Sequence, residues 1–408
     1  MAKTVVIAGA LDTKGADFAY LKELIERKGL ATLVVDFGVM GARGITPDIT
    51  REEVVAAAGG DLARMMSGDH KDEAMQTMAQ GLAAVVRRLH AEGKVDGIIS
   101  MGGSGGTSIA TTAMRALPVG VPKVMVSTMG GGDVSAFAGT KDITFMPSIV
   151  DVAGFNRLSR TIYANAAGAI AGMVRMEPPA AGAERPLVTA SMFGNTTKAV
   201  DHAKSIVEAA GYEVLVFHAT GTGGRTMESL IADGFIVASM DITTTELADE
   251  VCGGILGAGP ERCLAAARAG IPTVLVPGCV DMANFGAIDT VPERYRMRNL
   301  YRWNPDTTLL RTNAAENRRI GEMLSAAANA ATGPVAVLIP LGGVSMLDAE
   351  GHPFWDPDAD AACFDAIRGG LKPGVPLVEV AANVNDPGFS GKVAETLLAM
   401  LPAETLAR

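Results

Sequence analysis

One strand-turn-helix-strand plan occurs twice in this chain, and that repetition constrains the fold more than any single motif does. The segment KTVVIAGALDTKGADFAYLKELIERKGLATLVVDFG (3–38) reads as an apolar strand, a polar Asp12-Thr13-Lys14 turn, an amphipathic helix, a glycine stop and a second strand. PLVTASMFGNTTKAVDHAKSIVEAAGYEVLVFHA (186–219) repeats the plan, with Asn195-Thr196 where Asp12-Thr13 stood. A second echo pairs VDGIIS and GVPKVMVST in the first half with ADGFIV and GIPTVLVPG in the second. Two copies predict two similar α/β lobes, and the crevice between such lobes is a usual place for a ligand.

Strands rich in Val and Ile alternate with helical stretches of ten or more residues, the signature of βαβ units on parallel sheets. Strands are expected near 3–9, 31–37, 95–101, 122–128 and 143–148, then near 186–193, 212–218, 234–240, 272–277, 334–341 and 376–382. An insertion after Gly44 carries the helix KDEAMQTMAQGLAAVVRRLHAEG, and Arg157 to Met176 predicts a long helix closing the first half. The prolines and small residues of MEPPAAGAERP cannot continue that helix, which makes this stretch a linker. The expected boundary falls near Pro178, giving a nucleotide-binding lobe 1–178 and a second Rossmann-like lobe 179–408. A chain of 408 residues is long enough to split in this way.

Composition narrows the function. The formal net charge of −10 argues against coating nucleic acid or lying on an anionic membrane. No apolar run is long enough to span a bilayer, and the start lacks the basic, apolar and small-residue pattern of an export signal. Four cysteines show neither CxxC nor zinc-like spacing with the five histidines, so reduced thiols in a cytoplasmic protein are expected.

The strongest chemical signal is Gly102-Gly103-Ser104-Gly105-Gly106-Thr107, between the apolar DGIIS strand and the helical run SIATTAMRAL. Backbone N–H groups and a helix start there would present positive dipole to a phosphate; the alternative is a tight turn with glycine for sterics alone. No Lys-Ser or Lys-Thr pair completes a Walker A loop, and Ser108 occupies the last glycine position of GxGxxG, so a mononucleotide fits better than NAD. Gly130-Gly131-Gly132-Asp133 ends the next strand at the same sheet edge. Lys14 would balance phosphate charge, Asp12 or Asp133 would hold Mg²⁺ through water, and Thr13 or Thr107 would donate to phosphate oxygens. Against these stand a solvated lysine at a helix start and, for Asp12, a helix N-cap.

The opening VIAGALDTKGADFAYLKELI, the MGGSGGT loop, STMGGGDVS, HATGTGGRTMESLI and PGCVDMANFG follow one another across essentially the whole chain. Together they resemble the ATP-binding domain family named after the tomato mosaic virus resistance protein. The resemblance implies a dimeric, two-lobed α/β protein that binds ATP in its first lobe, with no established reaction. In the plant protein a barrel-like domain follows; this sequence stops before it.

The second lobe offers Thr220-Gly221-Thr222-Gly223-Gly224-Arg225, again a strand end opening a helix, with Asn195, Thr196, Asp241, Glu246 and Asp281 at neighbouring strand ends. The acidic residues disfavour a triphosphate, so a smaller anionic metabolite is expected, with Arg225 as counter-charge; the alternative is an inherited shape with no ligand left in it. Weak catalytic candidates are His218 as a base, Cys279 as a nucleophile or a buried packing residue, and Asp281. The interleaved arginines and aromatics of 295–303 suggest a dimer contact, an anion clamp or a solvated basic face. The leading expectation is therefore a cytoplasmic, Mg-ATP-binding protein acting on a small metabolite. Its rivals are an ATP-stabilised regulatory protein without turnover and an ATP-independent carbon-carbon hydrolase or lyase in the second lobe.

Overall fold

The computed structural model describes residues 3–67, 71–177 and 184–402. Its contacts divide the chain into two compact units, Met1–Ala181 and Gly182–Arg408. The expected boundary residue Pro178 lies outside the described residues.

The first unit is built on β1 (Thr4–Gly9), β2 (Ala31–Asp36), β3 (Gly97–Gly102), β4 (Lys123–Ser127) and β5 (Thr144–Pro147). They lie in the order β2-β1-β3-β4-β5, and every pair is parallel. All six residues of β3 are buried, as expected of a strand covered on both faces. Alternate side chains feed two cores. Val6, Ala8, Ile98 and Met125 pack with Met78, Leu82 and Met114 of helices Lys71–Ala91 and Ser104–Arg115. Val5, Ile7, Ile99 and Val124 pack with Phe18, Leu21, Tyr163 and Ile170 of helices Leu11–Glu26 and Arg157–Arg175. Truncating one such fully buried Leu to Ala costs about 2–5 kcal/mol, so these faces fix which strand ends meet at the carboxyl edge.

The second unit carries β6 (Leu187–Met192), β7 (Glu213–His218), β8 (Ile236–Thr243) and β9 (Thr273–Gly278). After them come β10 (Met282–Phe285), β11 (Leu300–Asn304), β12 (Thr307–Arg311), β13 (Val335–Pro340) and β14 (Leu377–Val380). Its main sheet runs β14-β13-β9-β8-β6-β7, again parallel throughout. Numbered from its own first strand, each main sheet begins 2-1-3-4-5, and the second adds one strand beyond. The repeat in the sequence is thus a repeat of topology, and the α/β class with two mainly parallel sheets is what the chain adopts.

The departure is a small antiparallel sheet, β10-β12-β11, between β9 and β13. Its strands have four or five residues, and β11 (LYRWN) has no apolar run to announce it. Two of the three arginines read there as a contact surface, Arg296 and Arg298, have internal partners. Arg298 forks onto Glu316 at 2.6 and 2.8 Å, donates to the Arg311 carbonyl at 2.6 Å and lies over the Tyr295 ring. It ties this sheet to helix Ala314–Asn329 and is not a free group for a dimer contact.

Candidate functional site

At the end of β3 the chain does not loop before its helix. Gly103 is extended (φ −79°, ψ −166°) and the helix begins at Ser104, so Ser104, Gly105, Gly106 and Thr107 form its first turn. The first N–H groups of any helix have no carbonyl behind them, and among the described residues no side chain accepts from those of Ser104, Gly105 and Gly106. Thr107, expected to reach a phosphate, is buried and turned inward: its hydroxyl donates to the Gly103 carbonyl at 2.8 Å and shares a 2.6 Å hydrogen bond with Ser127 Oγ. That bond instead fixes the helix start against β4.

Steric demand separates the glycines. A Cβ on Gly130 would lie 3.0 Å from Pro147 N and one on Gly102 would lie 3.3 Å from Gly106 Cα, so backbone approach explains both. A Cβ on Gly103 would first meet Thr128 Oγ1 at 3.8 Å and one on Gly105 would meet Met75 Cε at 3.5 Å, which are ordinary contacts. On Gly131 it would meet nothing within 4 Å among the described residues, and on Gly132 only the Met129 carbonyl at 3.7 Å. Glycine for sterics alone therefore accounts for Gly102 and Gly130, whereas Gly103 and Gly105 could carry a Cβ at ordinary contact distance and Gly131 borders open space.

Part of that space is a cavity of about 320 Å³ lined by Thr128, Gly131, Pro147, Ser148, Ile149, Val150 and Asp151. Thr128 joins it to the glycine run, since its N–H donates to the Gly102 carbonyl at 3.2 Å. The ends of β3, β4 and β5 thus lie side by side here; residues 147–151 were missed, because no glycine run or motif marks them in the sequence. Ile149 is β-branched yet held at φ 63°, and it is 74% exposed. A non-glycine residue in the left-handed region stores roughly 1–3 kcal/mol, which the surrounding structure must offset.

The Asp12-Thr13-Lys14 turn behaves differently from expectation. The helix starts at Leu11 with Ala10 in the cap position, so Asp12 is a first-turn residue and not the N-cap; its Oδ2 accepts from Met40 N at 3.0 Å. Thr13 is exposed. The Lys14 ammonium donates to the Val152 carbonyl, so it is neither free in solvent nor an unengaged phosphate ligand. Asp36 holds the turn's backbone from the end of β2, accepting from Leu11 N at 3.2 Å and Gly38 N at 2.8 Å, and burial raises its pKa. Asp133 is exposed, and its bond from Ser135 N lowers its pKa, so it is ionised at neutral pH. Among the described residues no group of three or more His, Cys, Asp or Glu side chains is placed to hold a metal. Asp12 and Asp133 each have one carboxylate oxygen engaged by backbone, which suits a Mg²⁺ carried mainly by phosphates and water and not a protein cage.

In the second lobe the glycine turn is already filled. Gly221 (φ 79°) and Gly224 donate their N–H groups to Glu246 Oε1 at 2.7 and 3.1 Å, while Arg262 Nε donates to Glu246 Oε2 at 2.6 Å. A Cβ on Gly224 would sit 2.1 Å from that Oε2, and one on Gly223 would sit 1.9 Å from the His218 carbonyl. Arg262, buried and held charged, also pairs with Asp241 and, at 3.2 Å, with Glu228. The expected free anion cradle is corrected here: its occupant is a carboxylate of the same chain. Arg225 donates to the Gly257 carbonyl at 2.9 Å and to Thr222 Oγ1 at 3.3 Å, and the Thr220 hydroxyl turns back onto the His218 carbonyl. Asn195 and Thr196 are buried, their side chains bonded to Met282 Sδ at 3.3 Å and to Thr243 Oγ1 at 2.7 Å.

The catalytic candidates do not form a nucleophile and base. His218 is exposed and its ring lies 5.4 Å from that of Phe193. Cys279 is fully buried at φ 57°, and burial followed by the Asp281 charge pushes its thiol far up, which leaves no thiolate. Asp281 is also fully buried; its Oδ2 accepts from Ser345 Oγ at 2.7 Å, and burial followed by Asp348 raises its pKa.

Comparison with known proteins agrees with the architecture. Residues 3–179 match the N-terminal domain, and residues 185–401 the C-terminal domain, of the uncharacterised protein family UPF0261. A UPF0261 protein of Clostridium tetani is 48% identical over 402 residues, covering 98% of this chain and 100% of that protein. The ToMV resistance protein Tm-1 of Solanum lycopersicum is 37% identical over 344 residues, covering 82% of this chain and 45% of the plant protein. Among solved structures, a Streptomyces glycosyltransferase complexed with thymidine diphosphate aligns over 98% of this chain and 96% of its own at 13% identity, but its TM-score of 0.18 is too low to carry an argument. No helix among the described residues is long and apolar enough to cross a membrane.

Proposed function

The chain belongs to the uncharacterised protein family UPF0261, and from that premise we propose that it is a mononucleotide-binding protein that takes Mg-ATP at the carboxyl edge of its first sheet. One observation carries the reading: an uncapped helix start flanked by glycines that the fold itself does not require, opening through Thr128 onto the 320 Å³ cavity. Such a helix start offers N–H groups and positive dipole to a phosphate, and glycine lets the phosphate approach the backbone. Asp133 and Asp12 would steer the waters of a phosphate-bound Mg²⁺, which would neutralise phosphate charge. A metabolite beside the nucleotide was expected at the second glycine turn; with Glu246 seated there, the proposal keeps the nucleotide alone.

The four free, buried cysteines fit a reducing, cytoplasmic setting, and a homodimer remains part of the proposal on the strength of the family resemblance. Calorimetry with Gly105→Val tests the site. The variant is expected to keep the wild-type melting profile within a few degrees and to lose ATP binding at least tenfold; unchanged ATP affinity removes the assignment.

A further inference from the structure

We propose that the cavity beyond β4 and β5 is a vicinal-diol subsite in which the Asp151 carboxylate accepts hydrogen bonds from the ribose hydroxyls of the bound nucleotide. This rests on the nucleotide reading above and adds the residue that reads the sugar. The lining divides by chemistry. Pro147, Ile149 and Val150 supply apolar surface, Thr128 and Ser148 supply hydroxyls, and Asp151 supplies the only charge among the described lining residues. The Ser148 hydroxyl is spent on the Val150 carbonyl at 2.6 Å. Asp151 is exposed and, among the described residues, forms no hydrogen bond or ion pair. Among the described residues no lysine, arginine or histidine lines the cavity.

An ionised carboxylate only accepts hydrogen bonds, so its complement must donate. A phosphate placed there would face a like charge, with no cation among the described lining residues to screen it. The phosphates therefore belong outside the cavity, past Thr128 at the helix start, and the cavity takes an end of the ligand that is uncharged and rich in hydroxyl donors. Its 320 Å³ lies near the lower limit of about 300 Å³ for ligand cavities, enough for a nucleoside but not for a nucleoside with its phosphates. Ile149, apolar and turned out at φ 63°, gives the base a face to lie on.

Calorimetry on the full chain separates the parts. ATP, 2′,3′-dideoxy-ATP and tripolyphosphate are titrated into wild type, Asp151→Ala and Asp151→Asn, with melting curves confirming the fold at this exposed position. Wild type should prefer ATP over the dideoxy analogue by about tenfold, as a hydrogen bond to a charged group predicts. Asp151→Ala should erase that preference, Asp151→Asn should restore part of it, and tripolyphosphate should bind all three proteins alike. A wild type that binds tripolyphosphate but does not distinguish ATP from the dideoxy analogue overturns the subsite and leaves the phosphate site standing, as does Asp151→Ala that retains the preference. A wild type that binds neither ATP nor tripolyphosphate overturns the nucleotide reading itself.

Discussion

The two glycine turns are the same feature put to opposite uses. At 102–106 the helix start has no side-chain cap, and Gly103 and Gly105 have room for a Cβ; at 221–224 the N–H groups close on Glu246, and Gly223 and Gly224 have no room at all. One turn faces outward and the other has been turned into structure by an internal carboxylate backed by Arg262. A glycine-rich strand end in a doubly wound fold is therefore not evidence of a ligand until it is known what occupies its N–H groups.

The sharpest way to break this contrast is Glu246→Ala. Removing the carboxylate strands two buried N–H groups and part of a buried guanidinium, which costs about 3–5 kcal/mol. Urea unfolding should show that loss, and sulfate should restore stability in a concentration-dependent way by entering the vacated turn. A variant within 0.5 kcal/mol of wild type, taking that as roughly the scatter of neutral surface substitutions, would show that Glu246 is not a structural occupant.

A smaller effect is expected from moving one methyl group between the turns. Gly223→Ala places a Cβ 1.9 Å from a carbonyl and should destabilise by about 1–3 kcal/mol, whereas Gly105→Ala, inside a helix with space around it, should be neutral or stabilise by about 0.5–1 kcal/mol. Equal losses in thermal melts would erase the distinction between the lobes.

The comparison can also be sharpened through pH. The second lobe buries carboxyls whose pKa values are raised: Asp249 to about 7 by burial, with Glu246 adding to it, and Asp281 and Asp360 upward by burial, each facing Asp348 and Arg311. Between the unfolded carboxylate range and these folded values the native state holds more protons than the unfolded chain. Their contribution is thus fully present below about pH 4 and lost as pH rises through about 7, at up to about 1.4 kcal/mol per pH unit for each proton. Urea titrations at pH 6 and pH 9 should find the second lobe weaker at the higher pH, and Asp249→Asn should flatten the slope. A slope of opposite sign would contradict the burial argument.

The sequence made the layout legible because a parallel strand covered on both faces must be apolar along its length; VVIAG, GIISM and VLVPG could hardly be anything else. What the side chains bond to was less visible. Nothing in the residue types says that Glu246 will fold back 22 to 25 positions onto Gly224 and Gly221, that Thr107 will turn inward, or that Lys14 will find the Val152 carbonyl. These bonds span elements, and local propensity is silent about them. The antiparallel β10-β12-β11 sheet escaped for a related reason: its short strands are stabilised by pairing and by Arg298 on Glu316, not by a periodic apolar pattern. Ile149 and Asp151 were hidden because a strand end with no glycine or motif gives no signal of a cavity.

The central claim, that nucleotide enters the first lobe and the second turn is closed, is tested most directly by diffraction from crystals soaked with ATP and Mg²⁺. The account predicts phosphate density against the N–H groups of residues 103–106, sugar density beside Asp151, and Glu246 still bonded to Gly221 and Gly224. Nucleotide at 221–224 with Glu246 displaced, and nothing at 103–106, would contradict it.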